Sequence, residues 1–242
     1  MPPRVPRKVN FICVWPISSG MPPFIPHGRS PVLTEIMAEL PMQFQHILFP
    51  EVSKGNDASG FAMKDWNVVI TVNDSESFRK ARREFQRFGD VAPTDYHNVL
   101  VLRVPDVPKF VQHLSSIIET DKSLLNCVSR VAPAGFALDF QTPEEFGIKA
   151  HAIVLGWAAL LCGHSFHVRM HRRGLKSELP SPSVEQFLDE AVLSGARERC
   201  RPSRIDFSDP DYVIDVETVG NRAGLTLWSR NHLSRLPFLL VD

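Results

Sequence analysis

The chain has no excess of either charge: among its 242 residues, Lys plus Arg and Asp plus Glu number 27 each, and the formal net charge is zero. A neutral chain has no global field with which to gather a polyanion, so any such site has to be a local patch. Cysteine is scarce too. Cys13, Cys127, Cys162 and Cys200 are scattered and none forms a CxxC pair, which argues against a disulfide framework or a zinc knuckle and for a reduced, intracellular (cytoplasmic) setting. The most apolar run, AHAIVLGWAALLC from Ala150 to Cys162, is too short to span a bilayer and reads as a core helix, so no membrane association is expected. There is no GxxxxGK[ST] phosphate loop, no GxGxxG turn after a strand, no GxSxG elbow and no HExxH; the chain therefore does not read as an enzyme, and no cofactor is expected.

What is present is globular material. With 43% hydrophobic residues, the chain can bury a core as one large or two small domains. Residues 1–63 differ from the rest: half of the 20 prolines lie between Pro2 and Pro50, and each removes a backbone donor. This segment reads as an arm, partly ordered or disordered. Leu33–Leu40 is a short helix candidate within it, and Phe11, Ile12, Trp15, Phe24 and Ile25 are available to dock on the body or on a partner.

Residues 64–141 are more regular. DWNVVITV reads as a buried strand, and Phe78, Ala81, Arg82 and Phe85 trace one helical face that stops at Gly89. NVLVLRV reads as a second strand. Phe110, Val111, Leu114, Ile117 and Ile118 line a second helix within Pro105–Thr120, and LLNCVSRVAP and FALDF read as further strands. Strand, helix, strand, helix, strand is the order of a split ferredoxin-like unit. Thr142, Pro143 and Glu145 then supply a cap, a first-position proline and the carboxylate of a capping box, predicting a helix to about Cys162.

The densest information lies between Ser165 and Leu227. In SFHVRMHRRG, Phe166, Val168 and Met170 alternate with His167, Arg169, His171 and Arg173, a strand pattern that predicts an apolar inner face and an outer face of histidines and arginines. Gly174 ends it. In SPSVEQFLDEAVLSG, Val184, Phe187, Leu188, Ala191 and Val192 follow helical spacing and predict a helix, with Ser181 as cap, Pro182 at the first position and Gly195 as stop. YVIDVETV and RAGLTLW are strands joined by a Gly220-Asn221 turn.

FHVRMHRRG, a capped helix, then DPDYVIDVETVGNRAGLTL resembles the C-terminal half of a THUMP domain, the RNA-binding module of several tRNA-modifying proteins. The resemblance implies an α+β chain: a ferredoxin-like domain at 64–141, followed at 142–242 by a THUMP domain (α/β with a small mixed sheet) and a short tail. It implies a non-catalytic protein that holds the acceptor and 3′ end of tRNA and presents it to a separate tRNA-modifying enzyme, as in stand-alone members that serve an RNA cytidine acetyltransferase. The matching positions for RNA are Arg169, Arg172 and Arg173, with Lys176 in the following loop and Arg222 at the hairpin; Arg172 and Arg173 are expected to be exposed. The alternative is a scaffold for protein partners that keeps the fold without RNA affinity.

Two other clusters read as structural. Cys162, His164, His167 and His171 crowd a short stretch, but a metal needs three or four converging ligands, and a helix-end cysteine with solvent-facing histidines is the simpler reading. Asp209-Pro210-Asp211 reads as a turn into the next strand rather than a carboxylate pair for acid/base chemistry or magnesium. For the arginines, pairing with Asp215 and Glu217 on a neighbouring strand stands as the alternative to RNA.

Overall fold

The run VVITV at Val68–Val72 (β1) is buried at every position but Thr71, as a strand covered on both faces must be. In the computed structural model, which describes residues 63–197 and 202–239, β1 is the centre of the first sheet. The proline-rich arm up to residue 62, with its Leu33–Leu40 helix candidate, and Cys13 and Cys200 lie outside the described residues. Helix α1 (Ser75–Phe85) follows, with the Asp74 carboxylate capping it by accepting from the Ser77 amide. Then come β2 (Asp90–Pro93), β3 (Val99–Arg103), α2 (Val107–Thr120), whose cap is Asp106, and β4 (Val128–Pro133).

Strands β3 and β4 flank β1 antiparallel, and the sheet order is β2-β3-β1-β4. Ala81 and Phe85 of α1 and Phe110, Val111, Leu114 and Ile118 of α2 join Val68, Ile70, Leu100, Leu102 and Val131 in one core. Arg82, expected on the apolar face of α1, is exposed. Strand β2 has no counterpart among the predicted strands: it is four residues long and ends in a proline, which only an edge position tolerates.

The second sheet has the order β5-β9-β8-β6-β7. Its strands are β5 (Phe136–Asp139), β6 (Ser165–Arg173), the two-residue β7 (Arg204–Ile205), β8 (Tyr212–Val219) and β9 (Arg222–Ser229). Helix α3 (Pro143–Trp157) precedes β6 and α4 (Ser181–Arg197) connects β6 to its parallel neighbour β8. The Thr142 hydroxyl accepts from the Glu145 amide as expected, while the Glu145 carboxylate accepts from the Gln141 amide. The β8–β9 hairpin turns at Gly220, whose φ of 58° is the left-handed conformation that the turn requires. Helix α4 runs through Gly195, which is buried within it instead of stopping it.

The division into units differs from the expected one. FALDF does not complete the first sheet; as β5 it pairs with β9 in the second, so the sheets part between β4 and β5 and not at residue 141. The C-terminal segment, expected to trail from the second unit, returns through α5 (Arg230–Arg235) and places Leu236, Phe238 and Leu239 in the first core. Both units are α+β, with helices on one face of each sheet.

The other faces meet. Phe166, Val168, Met170, Ile214, Val216, Ala223 and Leu225 pack under α3 and α4, which leaves the alternate residues of β6, β8 and β9 turned toward the first unit. There β9 comes so near that a Cβ on Gly224 would lie 2.6 Å from the Ala134 Cβ and 3.3 Å from the Trp66 ring.

Candidate nucleic-acid interface

Strand β6 has β8 along its whole length on one side but β7 only beside Ser165 and Phe166 on the other. Beyond Phe166 its free edge is closed by helix α4: the Asp189 carboxylate accepts from the Val168 amide at 3.0 Å, and Glu185 from the Met170 amide at 2.8 Å. The match is geometric. Four residues of helix advance about 6 Å, and two residues of strand advance about 6.6 Å, so carboxylates at i and i+4 meet amides at j+2 and j. Burial pushes the Asp189 carboxyl up to about 7, with Glu185 and Glu190 adding to the rise and the Val168 amide opposing it.

The start of β6 is tied to β8 by the DPD segment. The Asp211 carboxylate accepts from the Ser165 amide at 2.8 Å and from its hydroxyl at 2.9 Å. The Ser165 amide holds the Asp211 carboxyl below its ordinary range. The turn before it is closed by Asp206, which accepts from the Ser208 and Asp209 amides.

The face of β6 expected to be open is covered. Arg130 of β4 reaches across to Asp215 at 2.6 Å and to Glu217 at 2.5 Å. It also donates to the Leu239 carbonyl at 2.9 Å. Arg173 pairs with Glu217 and donates to the Thr71 hydroxyl at 2.8 Å. Burial raises the Glu217 carboxyl against the pull of Arg130 and Arg173. Between them sits His171, lowered to about 4 first by burial and then by the Arg130 charge, so its ring is neutral at pH 7.

The five expected RNA contacts therefore have different surroundings. Arg173 is committed to Glu217 and Thr71. Arg222 is 8% exposed, donates to the Trp66 carbonyl and pairs with Asp139 at 2.7 Å. Arg172 is half-buried and turns its guanidinium onto the Gly174 carbonyl at 2.9 Å. Arg169 is half-buried, and Lys176 is exposed. The expectation that Arg172 and Arg173 form an exposed pair is thus corrected; the pairing of β6 arginines with β8 carboxylates, the alternative that the sequence leaves open, applies to Arg173 and Glu217. Alternation places side chains on a face but does not say what lies against that face. No sequence signal marks Arg130 as the residue that does so.

The histidines are structural or solvent-facing. His167 is buried, with Nδ1 2.9 Å from the Asp206 carbonyl and its ring against Phe207. His164 is exposed beside Asp211 and Tyr212. Cys162 is half-buried at the end of the helical segment, and Cys127 is free and buried. Among the described residues, the group close enough to hold a metal ion is His171, Asp215 and Glu217. Its carboxylates already face Arg130 and Arg173, so a divalent cation would add uncompensated buried charge.

No family model and no curated protein matches this chain. The fold is similar to parts of several solved structures. PH1313 from Pyrococcus horikoshii superposes over 67% of this chain and 54% of its own, at 13% identity and a TM-score of 0.47. TrmN from Thermus thermophilus covers 67% and 44%, at 17% identity and 0.45. A 4-thiouridine synthetase–RNA complex with bound ATP covers 68% and 41%, at 12% identity and 0.46. The chain spans about half the length of these structures or less. No described helix is long and apolar enough to cross a membrane.

Proposed function

We propose that this chain is a non-catalytic tRNA-binding protein of the THUMP type that presents its RNA to a separate modifying enzyme. The observation that supports this reading is the ordered set β6, α4, β8 and β9. The segments that carry the sequence resemblance assemble as one parallel β-α-β crossover closed by a hairpin. The β-α-β-β-α-β order of residues 68–133, with β1 central, supports the ferredoxin-like reading of the preceding unit. Of the cations carried over from the resemblance, Lys176 is exposed and Arg169 and Arg172 are half-buried without a carboxylate partner among the described residues, so contact of these three with RNA would break no buried ion pair.

The experiment is a titration of the purified full chain with tRNA at several salt concentrations. Binding whose logarithm falls linearly with the logarithm of salt is the expected result, since phosphate contacts release counterions. No binding at low salt sinks the reading. In the same preparation, incubation with S-adenosylmethionine, acetyl-CoA or ATP is expected to leave tRNA unmodified; turnover abolished by a point mutation in this chain would overturn the non-catalytic assignment.

The scaffold reading is favoured by one observation. Ile148 on α3 is 64% exposed and Phe187 on α4 is 44% exposed, with the Phe187 ring 3.9 Å from the position of a Cβ on Gly147. Both expose apolar surface on the helical face. Binding of a protein partner that Ile148→Glu abolishes, in a chain that shows no tRNA affinity, would establish the scaffold role.

A further inference from the structure

The polar face of β6 and β8 carries hydrogen-bonding capacity that the ion pairs between the sheets leave over. In the β6–β8 ladder His171 lies opposite Glu217, and Arg169 opposite Asp215, so His171, Asp215 and Glu217 stand together on the side turned toward the first unit. A ring nitrogen of His171 and one carboxylate oxygen from each acid lie within 4.8 Å of one another. Three atoms so spaced always have a point no farther from each than that spacing divided by the square root of three, about 2.8 Å, and this is the hydrogen-bond distance of a water oxygen.

The ion pairs do not use these atoms up. Asp215 accepts from Arg130 through Oδ2, and its Oδ1 has no hydrogen bond among the described residues. Glu217 accepts from Arg173 through Oε2; its Oε1 faces the Arg130 guanidinium at 2.5 Å but out of hydrogen-bond alignment. The His171 Nε2 atom is buried and has no hydrogen bond among the described residues either. Each buried polar atom left so costs about as much as a lost hydrogen bond. Grouped on three neighbouring side chains, two of them buried, they call for a shared partner.

We propose that His171, Asp215 and Glu217 hold one buried water molecule, a fixed ligand in the joint between the two sheets. The inference does not depend on the RNA reading.

Charge selects the ligand. The two carboxylates are balanced by Arg130 and Arg173, and the His171 ring is neutral at pH 7 because burial holds its pKa at about 4. A cation would add charge that nothing compensates, and an anion would face two carboxylates. A neutral ligand with two donors and a free lone pair fits all three atoms: water donates to Asp215 Oδ1 and Glu217 Oε1 and accepts from the Nε2–H of the imidazole. Three hydrogen bonds is the usual complement of an internal water. The assignment also fixes the tautomer of His171, with its proton on Nε2. Bridging β6 to β8 beside the Arg130 guanidinium of β4, the water completes the polar side of the joint to which the first unit contributes the cation.

The test uses the full chain. A crystal structure that orders internal solvent is expected to show one oxygen within about 3.2 Å of His171 Nε2 and of an oxygen from each acid. In solution, oxygen-17 relaxation dispersion counts long-lived internal waters. His171→Phe keeps a flat, uncharged ring without Nε2 and is expected to lose one such water relative to the parent, whereas Lys176→Gln, at the surface, keeps it. A dry site in the parent crystal overturns the inference, and so does a dispersion amplitude that folded His171→Phe leaves unchanged. If His171→Phe does not fold, the density of the parent decides by itself. A metal ion at the site, identified by anomalous scattering, would overturn the choice of ligand.

Discussion

Arg130 of β4 and Asp215 of β8 form an ion pair at 2.6 Å with side chains only 7% and 3% exposed, joining the two sheets through a charge seam that also takes in Glu217 and Arg173. Such a seam specifies how the sheets align more than it stabilises them, because the gain in attraction is offset by the cost of removing the ions from water.

Breaking one side of it is another matter. Arg130→Met leaves Asp215 buried without its partner and is expected to cost about 3–5 kcal/mol. Arg130→Met combined with Asp215→Leu should recover much of that loss. Urea unfolding of the two variants checks both statements; equal losses would mean that Asp215 is compensated elsewhere.

Arg173→Glu brings a third carboxylate to the Asp215–Glu217 pair and removes the hydrogen bond to Thr71. It is expected to lower the unfolding midpoint clearly, whereas Lys176→Glu, at the surface, should leave stability within about 0.5 kcal/mol of the parent. A melt of each variant separates buried charge from solvated charge on adjoining stretches of chain.

The α4 carboxylates give a pH signature. The folded Asp189 carboxyl is raised to about 7, above an unfolded value near 3.9, so its stabilising contribution is complete below about 4 and is lost as pH rises through about 7. Asp189→Asn keeps an oxygen for the Val168 amide and does not titrate. The stability of the parent relative to this variant should therefore fall as pH rises across that window. A difference that is flat with pH would show that Asp189 titrates normally.

Leu188 is fully buried and its neighbour Phe187 is 44% exposed. Leu188→Ala should cost about 2–5 kcal/mol, and Phe187→Ala should stay within about 0.5 kcal/mol. Equal costs from chemical denaturation would place Phe187 inside.

That pair also shows what is legible in the sequence. The spacing of Val184, Leu188, Ala191 and Val192 identifies α4 and its core stripe because the 3.6-residue period is local. Phe187 sits at the margin of the stripe, and whether a marginal residue is covered depends on the neighbouring helix, which the spacing does not encode. The same limit explains the arginines of β6: their period is legible, while their burial depends on Arg130 and the first unit, far away in sequence. Strand β5 is recognisable as a strand, but its sheet is not, since its partner β9 is separated from it by the whole second unit. The hairpin at Gly220 and the cap at Thr142 are legible because their chemistry is confined to a few adjacent residues.

The return of Leu236, Phe238 and Leu239 to the first core has a consequence for synthesis. The amide of Val131 donates to the Phe238 carbonyl at 2.8 Å, and Arg130 reaches the Leu239 carbonyl; the first sheet is closed by residues translated after the whole of the second. Closing a loop of that length costs entropy that no local contact offsets, so the first unit should reach its full protection from amide exchange only when this segment has left the ribosome. Until then β4 presents an open edge to whatever meets the nascent chain, and the order in which the polypeptide emerges becomes part of how it avoids misassembly.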